Sequence, residues 1–327
     1  MRTVSTKDVQ GSCRRALIAI CSASVLTLSA CSAGEDTASP SASEDAGVAV
    51  VQPIAITYDG GIALLNGETL ELASKVERRG FLRVNPAGDD SHVMVSDEAG
   101  FSVLNASQAK LTDISFPGAK PGHVVLHGGK TVLFVDSTGD ALSFDPNELA
   151  EGKPKVRTYE SDSPHHGVAV ELADGTIVAS VGDEENRSGA RAVNAEGKEI
   201  ARSNECPGIH GEAVAADEIV GFGCHDGVLL FKDGAFVKVP AADEYGATAT
   251  QVGSEASPVL LGDYKTDPDA EREFPTQFAL VDTASQKQSI VQMPGRASYS
   301  FRSLGRGPRN CQDLWIGVFQ ATSVPAC

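Results

Sequence analysis

From about residue 50 onward the chain reads as short apolar runs of alternating phase. They are broken by turn sequences such as "NAEG" (194–197), "KDG" (232–234) and "DTAS" (282–285). Period-two alternation bounded by Gly, Asp and Asn predicts half-buried strands joined by hairpins, and helix signals are nearly absent. The order strand–turn–strand–turn–strand–turn–strand recurs. It runs through "GFLRVNPAGDDSHVMVSDEAGFSVLNASQAKLTDI", "PGHVVLHGGKTVLFVDSTGDALSFDP", "HHGVAVELADGTIVASVG…", "IHGEAVAADEIVGFGCHDGVLLFKDGAFVKV" and "GATATQVGSEASPVLLGDY…". The last copy carries a longer polar insertion, Lys265 to Phe274, in its second turn.

Four strands in a repeat of about forty residues predict an all-β fold, a β-propeller of about 6–8 four-stranded blades. A β-sandwich would not need so even a period. The stretch "AVVQPIAITYDGGIALLNGETLELAS" carries only the later strands of a blade. That suits a ring in which the C-terminal part supplies the first strand.

Aligning the copies at their first strand changes the picture, because it brings His123, His166 and His210 to the same place, the start of that strand. Arg83 and Thr248 occupy roughly this position in the flanking copies. First strands line the central channel of a propeller, so three imidazoles from three successive blades are expected to surround one point. Neutral imidazole is the commonest zinc ligand, and three of them with a carboxylate or water complete a tetrahedral set. Glu212 lies two residues after His210 and is expected on the same face, as fourth ligand or as an acceptor behind a histidine. His165 and His127 are reserve ligands. Glycines stand beside the three histidines (Gly122, Gly167, Gly211) and suit close backbone approach. His92 and His225 fall in turns away from the channel.

Cys206 and Cys224 flank a strand pair and are expected to form a disulfide. They could instead be soft zinc ligands, although the C-x2-C spacing of structural zinc sites is absent. The net charge of −17 argues against a nucleic-acid partner, since phosphate binding needs clustered Lys and Arg.

The N-terminus reads as a targeting segment. Arg14 and Arg15 precede the short apolar run "ALIAICSASVLTLSA", too short to cross a bilayer comfortably. It ends in "LSAC", Leu28 to Cys31, which resembles the lipobox of bacterial lipoproteins, in which the cysteine is lipidated. "SAGEDTASPSASEDAG" then reads as a disordered tether. The expected organisation is a signal peptide (1–30), a tether (31–46), the propeller (47–308) and an aberrant tail (309–327). In that tail, "RNCQDLWIGVFQATSVPAC", the alternation is lost and the single Trp and two cysteines appear. This predicts a frameshift or truncation that removes the last one or two blades. The expected location is outside the cell membrane or in the periplasm, with the membrane met through the lipid anchor alone.

The segments "DSPHHGVAVELADGTIVAS", "ECPGIHGEAV…FGCHDGVLLF" and "YSFRSLGRGP" resemble the AztD-type zinc metallochaperones, over roughly Ile54 to Pro308. The resemblance implies an exported β-propeller that binds Zn2+ around His123, His166 and His210 and hands it to the substrate-binding protein of a zinc ABC importer. A monomer without enzymatic activity is expected. Members of that family often carry a His-rich N-terminal segment; the tether here has no histidine. Two other classes compete: a metal-dependent hydrolase or lactonase-type propeller, and a metal-free interaction propeller. Propeller lactonases commonly hold calcium through carboxylates and carbonyls, whereas imidazoles dominate here. No G-x-S-x-G, H-E-x-x-H or Walker motif supports an enzyme.

Overall fold

A computed structural model describes residues 49–270 and 276–293. The signal peptide, the tether with Cys31, part of the Lys265–Phe274 insertion, the "YSFRSLGRGP" motif and the 309–327 tail lie outside the described residues.

The described chain forms six antiparallel sheets in chain order. The first holds β1 (Ile54–Tyr58), β2 (Gly61–Leu65) and β3 (Leu72–Glu77). The second holds β4 (Arg83–Pro86), β5 (His92–Asp97), β6 (Gly100–Asn105) and β7 (Lys110–Pro117). The third holds β8 (Pro121–His127), β9 (Lys130–Val135), β10 (Asp140–Phe144) and β11 (Arg157–Tyr159). The fourth holds β12 (Ala169–Glu171), β13 (Ile177–Gly182), β14 (Arg187–Val193) and β15 (Glu199–Ser203). The fifth holds β16 (His210–Val214), β17 (Val220–Cys224), β18 (Gly227–Lys232) and β19 (Ala235–Pro240). The sixth holds β20 (Gln251–Ser254), β21 (Ser257–Asp263), β22 (Gln277–Asp282) and β23 (Lys287–Gln292). This is the repeated four-stranded meander of a β-propeller, with the expected repeats in the expected phase.

The first sheet has three strands, and its register shows which strand is missing. Tyr58 pairs with Gly61 across a two-residue turn, as Asp97 pairs with Gly100 at the end of β5. β1 also packs on β4 as β5 packs on β8 and β9 on β12. β1 is therefore a second strand, and no described residue fills the first-strand position inside it.

Several middle strands, β9 and β17 among them, are buried on both faces. In β9, Val132 and Phe134 enter the core shared with the fourth sheet, while Leu133 and Val135 enter the core shared with the second. Alternate side chains of one strand thus serve two interfaces, which is how a single sheet becomes part of a stack. Between the fifth and sixth sheets, Val228 and Leu230 meet Leu260 and Val281 in the same manner. Burying each such side chain stabilises the stack by roughly 1.5–3 kcal/mol.

Candidate metal centre

Strand direction decides what can meet. The strands are antiparallel, so the start of a first strand and the end of its second strand lie at one end of the stack. His123 stands third in β8, His166 just before β12, and His210 first in β16. Their ring centroids form a near-equilateral triangle with sides of 5.3, 5.4 and 5.2 Å. The nitrogens they offer lie within 4.8 Å of one another. Among the described residues this is the single cluster of three His, Cys, Asp or Glu donors so arranged.

Two rings are fixed in tautomer by their outer nitrogens. His166 Nδ1 donates to Asp136 Oδ2 at 2.6 Å, and His210 Nδ1 donates to the Ala249 carbonyl at 2.8 Å. Both Nε2 atoms then carry lone pairs, and they face each other at 3.2 Å. Two ligands on a tetrahedral zinc with bonds of 2.0–2.1 Å are about 3.3 Å apart. The pair is therefore spaced as one edge of a coordination tetrahedron, and a cation between them would relieve the lone-pair repulsion. The donor set fits zinc: neutral imidazoles with a carboxylate or backbone carbonyl behind two of them.

Electrostatics favour the neutral, ligand form of His123 and His210. Burial lowers the His123 pKa from 6.5 to about 3, with help from the neighbouring rings of His210 and His166 and the guanidinium groups of Arg83 and Arg187. Burial also lowers His210. The His166 side chain is 39% exposed, so the cluster is open to solvent on that side.

Glu212 belongs to the neighbourhood. Its Oε2 lies 3.6 Å from His123 Nδ1, beyond hydrogen-bond length. Burial raises its carboxyl pKa from 4.5 to about 8. The expectation that it shares a face with His210 through strand alternation meets a complication. The register shifts between His210 and Glu212, and Gly211 adopts a left-handed φ of +68°. Glu212 thus approaches the cluster on the His123 side.

The two reserve histidines are placed elsewhere. His165 is 1% exposed. Its Nδ1 donates to the Ser163 carbonyl at 2.9 Å, its Nε2 accepts from Ser180 Oγ at 3.0 Å, and its ring meets Phe134 edge-on. Both nitrogens are used, so no lone pair remains for a metal. His127 ends β8, four residues beyond His123, which is roughly 13 Å along a strand. Its Nε2 donates to Glu218 Oε1 at 2.9 Å. His92 is buried against Asp89, and His225 is exposed beside Tyr245 in the β17–β18 turn.

Cys206 and Cys224 are joined by a disulfide. It ties the turn that delivers His210 to the end of β17.

Asp136 is one residue that sequence reasoning missed. It directly follows β9, and its second oxygen, Oδ1, is buried without a hydrogen-bond partner. The glycine at position 122 makes room for it, since a Cβ there would come within 2.1 Å of that oxygen. The available signal was positional: Asp97, Asp136, Asp183 and Asp263 all fall at the end of a second strand.

Fold and cluster together define a β-propeller that gathers three imidazoles from three successive sheets at a spacing that could hold one metal ion. The chain is similar to the zinc chaperone AztD of Citrobacter koseri, at 29% identity over 217 residues, covering 63% of this chain and 49% of that protein. The match thus spans about half the length of that curated relative. The crystal structure of Citrobacter koseri apo AztD superposes with a TM-score of 0.62 at 23% identity, covering 76% of this chain and 72% of that one. A second Citrobacter koseri AztD structure superposes equally well, over 71% of its chain. A chain of the mitotic checkpoint complex shares the fold at 12% identity, with a TM-score of 0.56 and 76% of each chain covered. No family model matches the sequence.

Proposed function

We propose that this protein is a zinc metallochaperone. It binds one Zn2+ at His123, His166 and His210, with Glu212 or water in the fourth position, and passes the ion to the substrate-binding protein of a zinc ABC importer. The observation that carries this reading is the pair of Nε2 lone pairs of His166 and His210 held 3.2 Å apart. A relative named as a zinc chaperone supports the choice of cargo. The exposure of His166 suits a carrier, since a delivered ion must leave. The protein acts as a monomeric carrier rather than a catalyst. The further reading is that it is exported, lipidated at Cys31 and held by that anchor at the outer face of the cell membrane or in the periplasm, with residues 31–46 as tether and the propeller from residue 47.

Isothermal titration of the metal-free protein with zinc tests this. One tight site is expected, with affinity reduced at least 100-fold in His166→Ala. The zinc-loaded protein should pass its ion to the importer's binding protein faster than to an equal concentration of a chelator of matched affinity. Equal rates would remove the delivery role. Absence of tight binding would remove the metal site, and zinc-dependent ester or lactone hydrolysis would place the protein among enzymes.

A further inference from the structure

The sixth sheet supplies no histidine to the cluster, yet it controls one. We infer that Asp263, at the end of β21, is a positioning residue that sets the tautomer and orientation of His210 through the backbone of Ala249 and Thr250. The affinity part of the argument rests on the zinc-binding reading; the tautomer part does not.

The link is a continuous chain of hydrogen bonds. His210 Nδ1 donates to the Ala249 carbonyl at 2.8 Å. That carbonyl belongs to the same planar peptide group as the Thr250 N–H. Thr250 N donates to Asp263 Oδ1 at 2.8 Å, and Ala249 N donates to the same oxygen at 2.7 Å. The carboxylate therefore holds one end of the peptide unit whose other end receives the imidazole proton. Hydrogen bonds in series polarise one another, so the carboxylate also makes the Ala249 carbonyl a better acceptor. Asp263 is itself buried, and its backbone N–H donates to Thr250 O at 3.0 Å. Its other oxygen, Oδ2, lies 3.7 Å from Lys265 Nζ.

The surrounding segment is seated tightly on the fifth sheet. Thr248 N donates to Cys224 O at 3.1 Å, at the residue that carries the disulfide, and Ala247 and Lys265 exchange two backbone bonds of 2.9 Å. Two glycines of the fifth sheet allow the approach. A Cβ on Gly211 would lie 2.2 Å from Ala249 O, and one on Gly223 would lie 1.8 Å from Thr248 O. A mere turn-former would need none of this. Asp97 and Asp183, at the equivalent ends of β5 and β13, make other contacts instead: Asp97 accepts from Arg78 and Ala99 N, and Asp183 accepts from Glu185 N and Asn186 N.

Wild type, Asp263→Asn and Asp263→Ala decide the matter. Both amides use Oδ1, and the Asn carbonyl can replace it. Asp263→Asn should therefore bind zinc within about two-fold of wild type, while Asp263→Ala should lose about 10–100-fold, read by chelator competition on folded protein. The second readout is the 15N spectrum of the metal-free imidazoles, with each site histidine assigned by its Asn variant. His210 should be the Nδ1–H tautomer in wild type and Asp263→Asn. It should become a mixture with Nε2–H in Asp263→Ala, while His166 stays unchanged in all three. An Nε2–H tautomer for His210 in wild type overturns the inference even if the alanine variant fails to fold. So does an unchanged tautomer in Asp263→Ala, or an equal loss of affinity in both variants. Absence of zinc binding by wild type would defeat the metal reading alone and leave the spectral result standing.

Discussion

Asp136 Oδ2 and His166 Nδ1 lie 2.6 Å apart, and this bond joins the end of one blade's second strand to the start of the next blade's first strand. It leaves the exposed imidazole with its Nε2 turned inward as a lone pair. A carboxylate behind a ligating histidine fixes the tautomer and raises the basicity of the ring. Asp136→Ala is expected to weaken zinc binding by about 10–100-fold with little change in the far-ultraviolet dichroism of the strands. Asp136→Asn keeps a carbonyl acceptor but loses the charge, and should fall between. Chelator competition at fixed pH measures both.

The repeat, its phase and the three histidines were legible because they rest on sequence spacing. Side chains that alternate along strands must recur with the blade, and His123, His166 and His210 kept step. The first sheet could also be read as later strands, since its turn pattern is that of β5–β7. What spacing could not supply was direction at irregular points. His166 lies ahead of β12, outside the regular ladder, and the β8–β9 and β16–β17 pairs shift register between Pro121 and Val124 and between His210 and Glu212. Alternation is broken at each place where a ligand emerges. Asp136 and Asp263 were hidden for another reason. An aspartate at the end of a strand is ordinary punctuation, and only the fold reveals which of the repeated aspartates turn toward the cluster.

Glu212 makes the stability of the metal-free protein depend on pH. Its carboxyl rises from 4.5 to about 8 on folding. Between those values the folded chain keeps a proton that the unfolded chain has released. The stabilisation is therefore full below about pH 4.5 and is lost as pH rises through 8. His123, lowered from 6.5 to about 3, acts on the acid side: stability is present above 6.5 and lost as pH falls through 3. Melting of the metal-free protein should drop by several degrees between pH 6 and pH 9, whereas Glu212→Gln, which has no proton to lose, should stay nearly flat. Zinc favours the ionised carboxylate and should shrink the wild-type drop. An equal drop in the glutamine variant would clear Glu212 of the effect.

The disulfide ties His210 to its surroundings as well as stabilising the fold. Cys206 and Cys224 are 18 residues apart, and closing a loop of that length is worth about 3 kcal/mol. Ile209 N donates to Cys206 O in the turn that delivers His210, and Cys224 O accepts from Thr248 N. The Cys206→Ser/Cys224→Ser double variant should lose about 3 kcal/mol in urea unfolding. It should also bind zinc more weakly while still folded. A loss of stability with unchanged affinity would show that the bond braces the fold and leaves the ligand untouched.

The adjacent histidines 165 and 166 should separate cleanly by experiment. They differ by one position and in almost every physical respect. His165 completes a closed set of hydrogen bonds: its Nε2 accepts from Ser180 Oγ, and that hydroxyl oxygen accepts from Val168 N at 2.9 Å. Its ring fills space against Phe134, which is itself fully buried. His165→Ala removes the acceptor of the buried Ser180 hydroxyl and one donor to the Ser163 carbonyl, and opens a cavity, so a loss of about 2–4 kcal/mol in unfolding free energy is expected. Its zinc affinity, measured well below the melting temperature, should stay within a few-fold of wild type. His166→Ala should show the reverse: a melting temperature close to wild type without metal, since the ring is partly exposed, and little further rise when zinc is added. Wild type should gain about 4 kcal/mol of stability when free zinc exceeds the dissociation constant a thousandfold. If His165→Ala abolishes that gain while remaining folded, the buried histidine reaches the metal and the division of roles drawn from its hydrogen bonds is wrong.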